Sequence, residues 1–220
     1  MLINEFIYKC INLIIVNSLE LNYQLNMLYT IQFNLIFFVL VNIYENLAYR
    51  WYTQNSELLA LHNAYRRDIK YGHVRDQPQA MSMLKLTWSH KLAEMAQDWA
   101  QHCVPRRSNL TMRKGSKWTY VGQSIALVPK VREAASLWFE QHKNYNFGNN
   151  TCEANKTCAD YKQLAFADTT HIGCGYAMCR HLTGLDKLLV VCNYGPGGKY
   201  ANRQPYDPIY PEDPYYLPLI

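Results

Sequence analysis

The sequence predicts a mixed α/β fold in which helices pack on and around a two-stranded hairpin. Three observations carry that reading. Ile172, Cys174, Tyr176 and Met178 alternate with small or polar residues at period two, and the run LLVV at 188–191 supplies a second strand. The strands are 172–179 and 187–194, joined by the polar link 180–186. Upstream, apolar residues recur instead at the three-and-four spacing of helices. Five of the seven cysteines, at 152, 158, 174, 179 and 192, gather in and just before the hairpin, so the fold is braced there.

At 220 residues, 49% of them hydrophobic, the chain has material for one ordinary core plus a leader or tail. A formal charge of +5 is mild. The densest basic cluster, Arg106, Arg107, Arg113, Lys114 and Lys117, has no interleaved aromatic groove, which argues for a solvated loop and against nucleic acid as partner. No cysteine pair has the repeated C-x-x-C spacing of a zinc site. An oxidising compartment and disulfides are therefore favoured over metal.

Residues 1–48 differ in composition from the rest. They are rich in Asn, Ile, Leu, Phe and Tyr, and Lys9 is the sole basic residue. The apolar run LIFFVLV at 35–41 is shorter than the roughly 20 residues a membrane span needs. It fits the apolar centre of a secretory signal peptide, with cleavage near Ala48 and Met27 as a second start. An uncleaved signal anchor is the alternative. Cleavage would remove Cys10, leave six cysteines and give a mature chain with no stable membrane span.

Asn55 or Ser56 can cap a helix over 57–70, with Leu58, Leu61, Ala64, Tyr65 and Ile69 inward and Arg66, Arg67, Asp68 and Lys70 largely outward. His62 in its middle reads as a packed or hydrogen-bonded core residue. Gly72 and Pro78 mark 71–80 as loop. Ser89 caps the next helix, whose face is Leu92, Met95, Ala96, Trp99 and Cys103, with Trp88 packed ahead of it and Pro105 as its stop. A third helix over 130–143 turns Val131, Ala134, Ala135, Trp138 and His142 inward. A short helix over 160–168 leads into the hairpin. Three sequons, at Asn109, Asn149 and Asn155, predict glycosylated surface loops in a secreted chain. The Pro- and Tyr-rich stretch 207–220 reads as a tail that covers the domain or hangs free.

Four blocks, LLALHNAYRR, LTWSHKLAEMAQDWAQHC, ADTTHIGCGYAMC and VVCNYGPGGKYANRQPY, resemble the CAP superfamily (cysteine-rich secretory, antigen 5 and pathogenesis-related proteins) in order and spacing. In style they are nearest the venom allergen-like proteins of parasitic worms. The likeness covers about 56–206, and the domain is drawn at 49–206. It implies a three-layer α/β/α sandwich with disulfides Cys103–Cys179, Cys174–Cys192 and Cys152–Cys158. Each long-range bridge would contribute about 3–4 kcal/mol by restricting the unfolded chain.

The resemblance also implies a central cavity with two His and two Glu, where some members bind a divalent metal. At the matching positions this chain has Arg107, Gln123, Gln141 and Asp160. Arginine has no lone pair to give a metal, the amides are weak donors, and only Asp160 is an ordinary ligand. Arg107 and Asp160 are expected to pair instead. Glu140 and His142, about 100° away from Gln141 on a helix, do not restore the site. His171, His90 and His102 read as structural or exposed. There is no Gly-x-Ser-x-Gly or His-Glu-x-x-His pattern, so neither enzyme activity, catalytic residue, metal nor cofactor is expected. The sequence thus reads as a secreted, extracellular binding protein. The resemblance implies a sterol, held by a loop carrying Tyr145 and Phe147, or a fatty acid between helices. The alternative is an extracellular or host-modulating role through a protein partner.

Overall fold

No glycine or proline occurs before Gly72, so nothing in the backbone chemistry interrupts a helix up to that point. The fold, a computed structural model, is described for residues 2–113, 117–182, 187–198 and 203–210, with backbone alone over 2–25 and at 181. Helix α1 runs over Leu2–Lys70 without a break. Asn55 and Ser56 therefore do not cap a helix start; Ser56 Oγ donates back to Thr53 O at 2.8 Å inside the helix. The chain divides into two units, Met1–Trp51 and Tyr52–Ile220.

The first unit is the leader part of α1. Leu35 through Leu40 leave 53–67% of their surface exposed, which places a continuous apolar stripe in the open. An 18-residue window there has mean hydropathy 1.7, long and apolar enough to cross a membrane. The seven-residue run understated this, because Asn34 and Asn42 flank it without adding charge. Such a helix near an N-terminus is consistent with a signal sequence. Cys10 lies outside the residues whose side chains are described.

The second unit begins with the end of α1, followed by β1 (Gln79–Ala80), β2 (Thr87–Trp88) and α2 (His90–Gln101). Next come β3 (Gly122–Val128), α3 (Glu133–Glu140), β4 (Tyr145–Asn146), β5 (Thr151–Cys152) and α4 (Ala159–Leu164). Strands β6 (His171–Met178), β7 (Leu188–Gly195) and β8 (Pro208–Ile209) complete it. The main sheet has the order β2-β6-β7-β3. Strands β6 and β7 are the predicted antiparallel pair, and Cys174 stands directly opposite Cys192. Their link is partly described: Arg180–Leu182 form a 3₁₀ turn, and 183–186 lie outside the described residues.

Strand β7 shows how the layers are built. Val190, Cys192 and Tyr194 join a core with Leu58, Trp138 and Ala134 from α1 and α3, whereas Leu189 and Val191 join Ala96 and Ala100 from α2. Period two thus sends alternate residues to opposite faces, and helices cover both. This is the mixed α/β architecture implied by the resemblance. All three disulfides form: Cys103–Cys179 ties α2 to the end of β6, Cys174–Cys192 crosses the hairpin, and Cys152–Cys158 closes a six-residue step.

Ser89 caps α2, its hydroxyl accepting from Leu92 N at 3.4 Å. The buried face is Leu92, Ala93, Ala96 and Ala100 rather than the bulkier Met95 and Trp99. The reason lies opposite. A Cβ at Gly173 would come within 2.2 Å of Ala93 N, and one at Gly175 within 2.3 Å of Gln97 Cα. Helix α2 rests directly on the strand backbone, and only small residues fit between. Helix α3 is shorter than expected and ends in a 3₁₀ turn over Gln141–Asn144, yet Val131, Ala134, Ala135, Trp138 and His142 are buried as its spacing requires.

Three further departures matter. Strand β3 was not anticipated. Arg66, expected outward, is 1% exposed and donates to the carbonyls of Leu84, Leu164, Phe166, Ala167 and Thr169. After the hairpin the chain returns to the body, where β8 pairs with β1 and Tyr206 is buried; residues 211–220 lie outside the described residues.

His62 is fully buried. Its Nδ1 lies 2.7 Å from Leu58 O, so that nitrogen carries the proton, and Nε2 accepts from the Tyr194 hydroxyl at 2.9 Å. Burial holds the imidazole down to a pKa of about 4, against a smaller upward pull from the Leu58 carbonyl. A depressed folded-state pKa means that stability is complete above the unfolded value near 6.5 and falls as pH drops towards 4. We expect a loss on the order of 3 kcal/mol across that window. Thermal melts of the wild type and His62→Gln at pH 7, 5.5 and 4 check this; parallel curves for the two would contradict it.

Candidate functional site

The site is assembled from three segments that converge beside β3. Past α2, Cys103 takes a left-handed φ of 52° and turns the chain towards Arg107 and Ser108. Those two residues dock on Gln123. Arg107 Nε donates to Gln123 O at 2.7 Å, and Ser108 N donates to Gln123 Oε1 at 2.7 Å. The other end of the Gln123 amide donates to Asn193 Oδ1 at 2.9 Å, its register partner on β7. Asn193 Nδ2 in turn donates to Leu92 O at 3.1 Å. One buried amide pair therefore connects α2, the sheet and the Arg107 segment.

The remaining two positions meet at the start of α4. Gln141 Oε1 accepts from Asp160 N at 3.0 Å and Tyr161 N at 3.3 Å, so it satisfies N–H groups that a helix start leaves without partners. Its Nε2 donates to Asp160 Oδ2 at 3.0 Å. Asp160 Oδ1 receives Arg107 Nη2 at 2.5 Å. Arg107, Gln123, Gln141 and Asp160 thus form one continuous network, and the expected Arg107–Asp160 pair is its centre.

The chemistry is interdependent. A glutamine at 141 can both accept from backbone N–H groups and donate to a carboxylate, whereas a glutamate there would face Asp160 with like charge. The same bookkeeping decides whether a divalent metal fits. Gln123 Oε1 is occupied by Ser108 N, Gln141 Oε1 by two backbone amides, and Asp160 by a guanidinium that cannot give up its proton. The donor set does not fit a metal. Among the described residues no group of three or more His, Cys, Asp or Glu is placed to hold one. Glu140 pairs with Lys143 and the His142 ring bonds Phe139 O, so neither turns to the network.

Beside the network lies a cavity of about 620 Å³. Its lining includes Arg107, Gln123, Tyr145 and Lys162, and also Arg113, which had read as part of a solvated loop. Arg113 is 8% exposed, with Nη1 donating to Val121 O at 2.7 Å and Nη2 to Ser108 O at 3.0 Å. Burial, opposed by Tyr120 and reinforced by nearby Arg107, draws its pKa down. Burial likewise lowers that of Lys162 and pushes the Tyr145 phenol up to about 12. Asn193 stands in the VVCNYGPGGKY block and Arg113 in the basic cluster, but nothing local assigns either to the site; only the fold carries them there.

The aromatic loop is placed differently from its expected role. Tyr145 and Phe147 are each 4% exposed. Tyr145 bonds Asn150 Oδ1 at 2.7 Å, and the Phe147 ring centre lies 4.6 Å from that of Tyr206. Both rings anchor the loop, as apolar side chains beside a disulfide step do when a core is within reach. Asn109, Asn149 and Asn155 are all exposed. His171 bonds the Thr170 hydroxyl and packs on Trp118, while His102 bonds Asp98 O and His90 is exposed.

Residues 59–194 match the family model described as the cysteine-rich secretory protein family. Peptidase inhibitor 16 of Mus musculus is 33% identical over 156 residues, covering 70% of this chain but 29% of that protein. The chain thus spans less than a third of that relative's length. Venom allergen 5.02 of Vespa crabro is 33% identical over 166 residues, covering 70% of this chain and 80% of its own. Among solved structures, the venom allergen-like protein 4 of Schistosoma mansoni aligns with a TM-score of 0.64 at 32% identity, over 71% of this chain and 96% of that one.

The Arg107 side chain is 44% exposed and that of Asp160 13%, so the pair is partly screened. A double-mutant cycle of Arg107→Ala and Asp160→Asn in urea unfolding should return a coupling of about 1 kcal/mol. A coupling near zero would mean that the contact adds nothing to stability.

Proposed function

Because the chain belongs to the cysteine-rich secretory protein (CAP) family, we propose that it is a secreted, extracellular binding module without enzymatic activity. The observation that carries this reading is the Arg107–Asp160 contact at 2.5 Å, flanked by Gln123 and Gln141. The positions at which the resemblance implies proton-accepting and metal-ligating groups hold a fixed cation, two amides and a carboxylate already paired with that cation. Among these four positions, Asp160 is the one carboxylate, and its pairing with Arg107 speaks against a role as general base or metal ligand. The apolar leader helix supports export, and three exposed sequon asparagines suit a glycosylated extracellular surface.

A fatty acid is favoured over a sterol as the apolar ligand. The loop aromatics proposed for a sterol are packed in the core, and exposing them would forfeit on the order of 2 kcal/mol of burial per ring. A groove of about 610 Å³ along the end of α1 is better suited. Leu59, Ala64 and Met83 give it apolar walls, and Arg67, Lys70 and Lys85 set cations along it. An alkyl chain with one carboxylate matches that combination.

Two measurements test the reading. Metal analysis of protein purified without chelator should find zinc well below one per chain. Joint substitution Arg107→His, Gln123→Glu, Gln141→Glu and Asp160→His should raise it towards one. Stoichiometric zinc in the unaltered chain would sink the metal-free reading. Labelled long-chain fatty acid should be taken up and labelled sterol left, with Ala64→Trp abolishing uptake by filling the groove. Uptake unaffected by Ala64→Trp would remove the groove as the site.

A further inference from the structure

We propose that the cavity beside the Arg107–Asp160 network is an oxyanion site, built to take a phosphate or sulfate group. The proposal rests on the metal-free reading of that cavity and gives it a ligand. Its lining holds four cations, Arg107, Arg113, Lys156 and Lys162, and no carboxylate among the described residues. Asp160 offsets one of these charges by pairing with Arg107.

Arg113 is the decisive residue. It is more than nine-tenths buried, and carbonyl oxygens take its two Nη groups. Carbonyls satisfy hydrogen bonds but carry no net charge. Among the described residues Nε has no hydrogen-bond partner and no carboxylate makes an ion pair with this guanidinium. A buried cation without a counter-charge is a costly arrangement unless something else supplies the anion. Arg107 lines the same cavity, as does Lys162, which donates to Asn150 Oδ1 at 2.7 Å, with Asn150 itself in the lining. Exposed Lys156 completes the cationic lining. At about 620 Å³ the space admits a small molecule carrying the group, and the charges that exclude a dication attract a dianion.

The test is calorimetric titration of the full secreted chain with inorganic pyrophosphate and with sulfate, in chelator, on protein whose metal content has been measured. Saturable binding near one per chain is expected. Lys156→Gln, an exposed change that spares the fold, should weaken it about tenfold, the size of one lost charge-assisted contact. Arg113→Gln should weaken it further, read only in protein whose far-ultraviolet spectrum is unchanged. Lys91→Gln, on the outer face of α2, should leave binding as it is. Vesicles of phosphatidylcholine with and without phosphatidic acid separate the sources. Capture by phosphatidic acid that Lys156→Gln weakens assigns the group to a lipid headgroup; binding of pyrophosphate alone assigns it to a soluble ligand. No binding in either arm, or binding indifferent to Lys156→Gln, would overturn the proposal. Zinc in the chain would fail the metal-free reading and this proposal together, whereas a zinc-free chain that ignores pyrophosphate, sulfate and phosphatidic acid fails this proposal alone.

Discussion

The Arg66 guanidinium is the constraint on which the second unit depends. Its N–H groups reach five carbonyls, two of them, Leu84 and Thr169, far apart in sequence, one just before β2 and the other just before β6. In doing so it fixes the end of α1 against the approach to β2 and against the turn that follows α4. The carbonyls of Leu164 and Phe166 belong to the end of that helix and the turn beyond it, where backbone acceptors lack helical partners. Cation and carbonyls are complementary in the low-dielectric interior, and each would be expensive to bury alone. With this anchor set, α4 presents Asp160 at one end and hands the chain to β6 at the other.

That anchor also marks where reading the sequence stops. Arg66 sits in the run Arg66-Arg67-Asp68, whose composition says surface; nothing local distinguishes the one that turns inward. The hairpin was legible because Ile172, Cys174 and Tyr176 alternate with glycine and alanine, and α2 was legible through Ser89 and its apolar spacing. The hidden strand was β3. Five of the seven residues of Gly122–Val128 are buried and Ile125 and Leu127 half-buried, so the apolar run Ile125–Val128 shows no polar alternation to detect, and the buried Gln123 and Ser124 disguise it further. The cysteine pairs were legible only through family likeness, since six cysteines allow 15 connectivities. Of the site, all four network positions were legible in the sequence, whereas Asn193, seen there only as part of a motif block, and Arg113, seen only as part of a basic cluster, were not assigned to it. Their roles arise from register and loop path, which are tertiary facts.

The glycines at 173 and 175 show the same limit from the other side. In the sequence they read as the small members of a strand alternation. In the fold they are the seat on which α2 lies, and Gln97 reaches past them to bond Tyr176 N at 3.0 Å and receive nothing but backbone in return, its Nε2 donating to Tyr176 O at 3.1 Å. A side chain thus continues the ladder where β2, only two residues long, stops. The disulfide Cys103–Cys179 then fastens the far end of the same helix. Helix α2 is consequently held along its whole length, which is why the chain leaving it arrives at Gln123 in a fixed place.

A cross-link is needed where these elements meet. The Arg107 segment, β3 and α4 approach one another with polar backbone to satisfy, at Gln123 O, Ser108 N, Asp160 N and Tyr161 N. A metal held by four side chains is one way to fasten such a junction; an ion pair flanked by two amides is another. In the second solution the two amides and the carboxylate are committed to the junction itself. That solution also leaves the neighbouring cavity with more positive charge than Asp160 can offset. Structure and function part company at this point: the network holds the walls together, and the unbalanced charge of Arg113 is what the walls offer to a ligand.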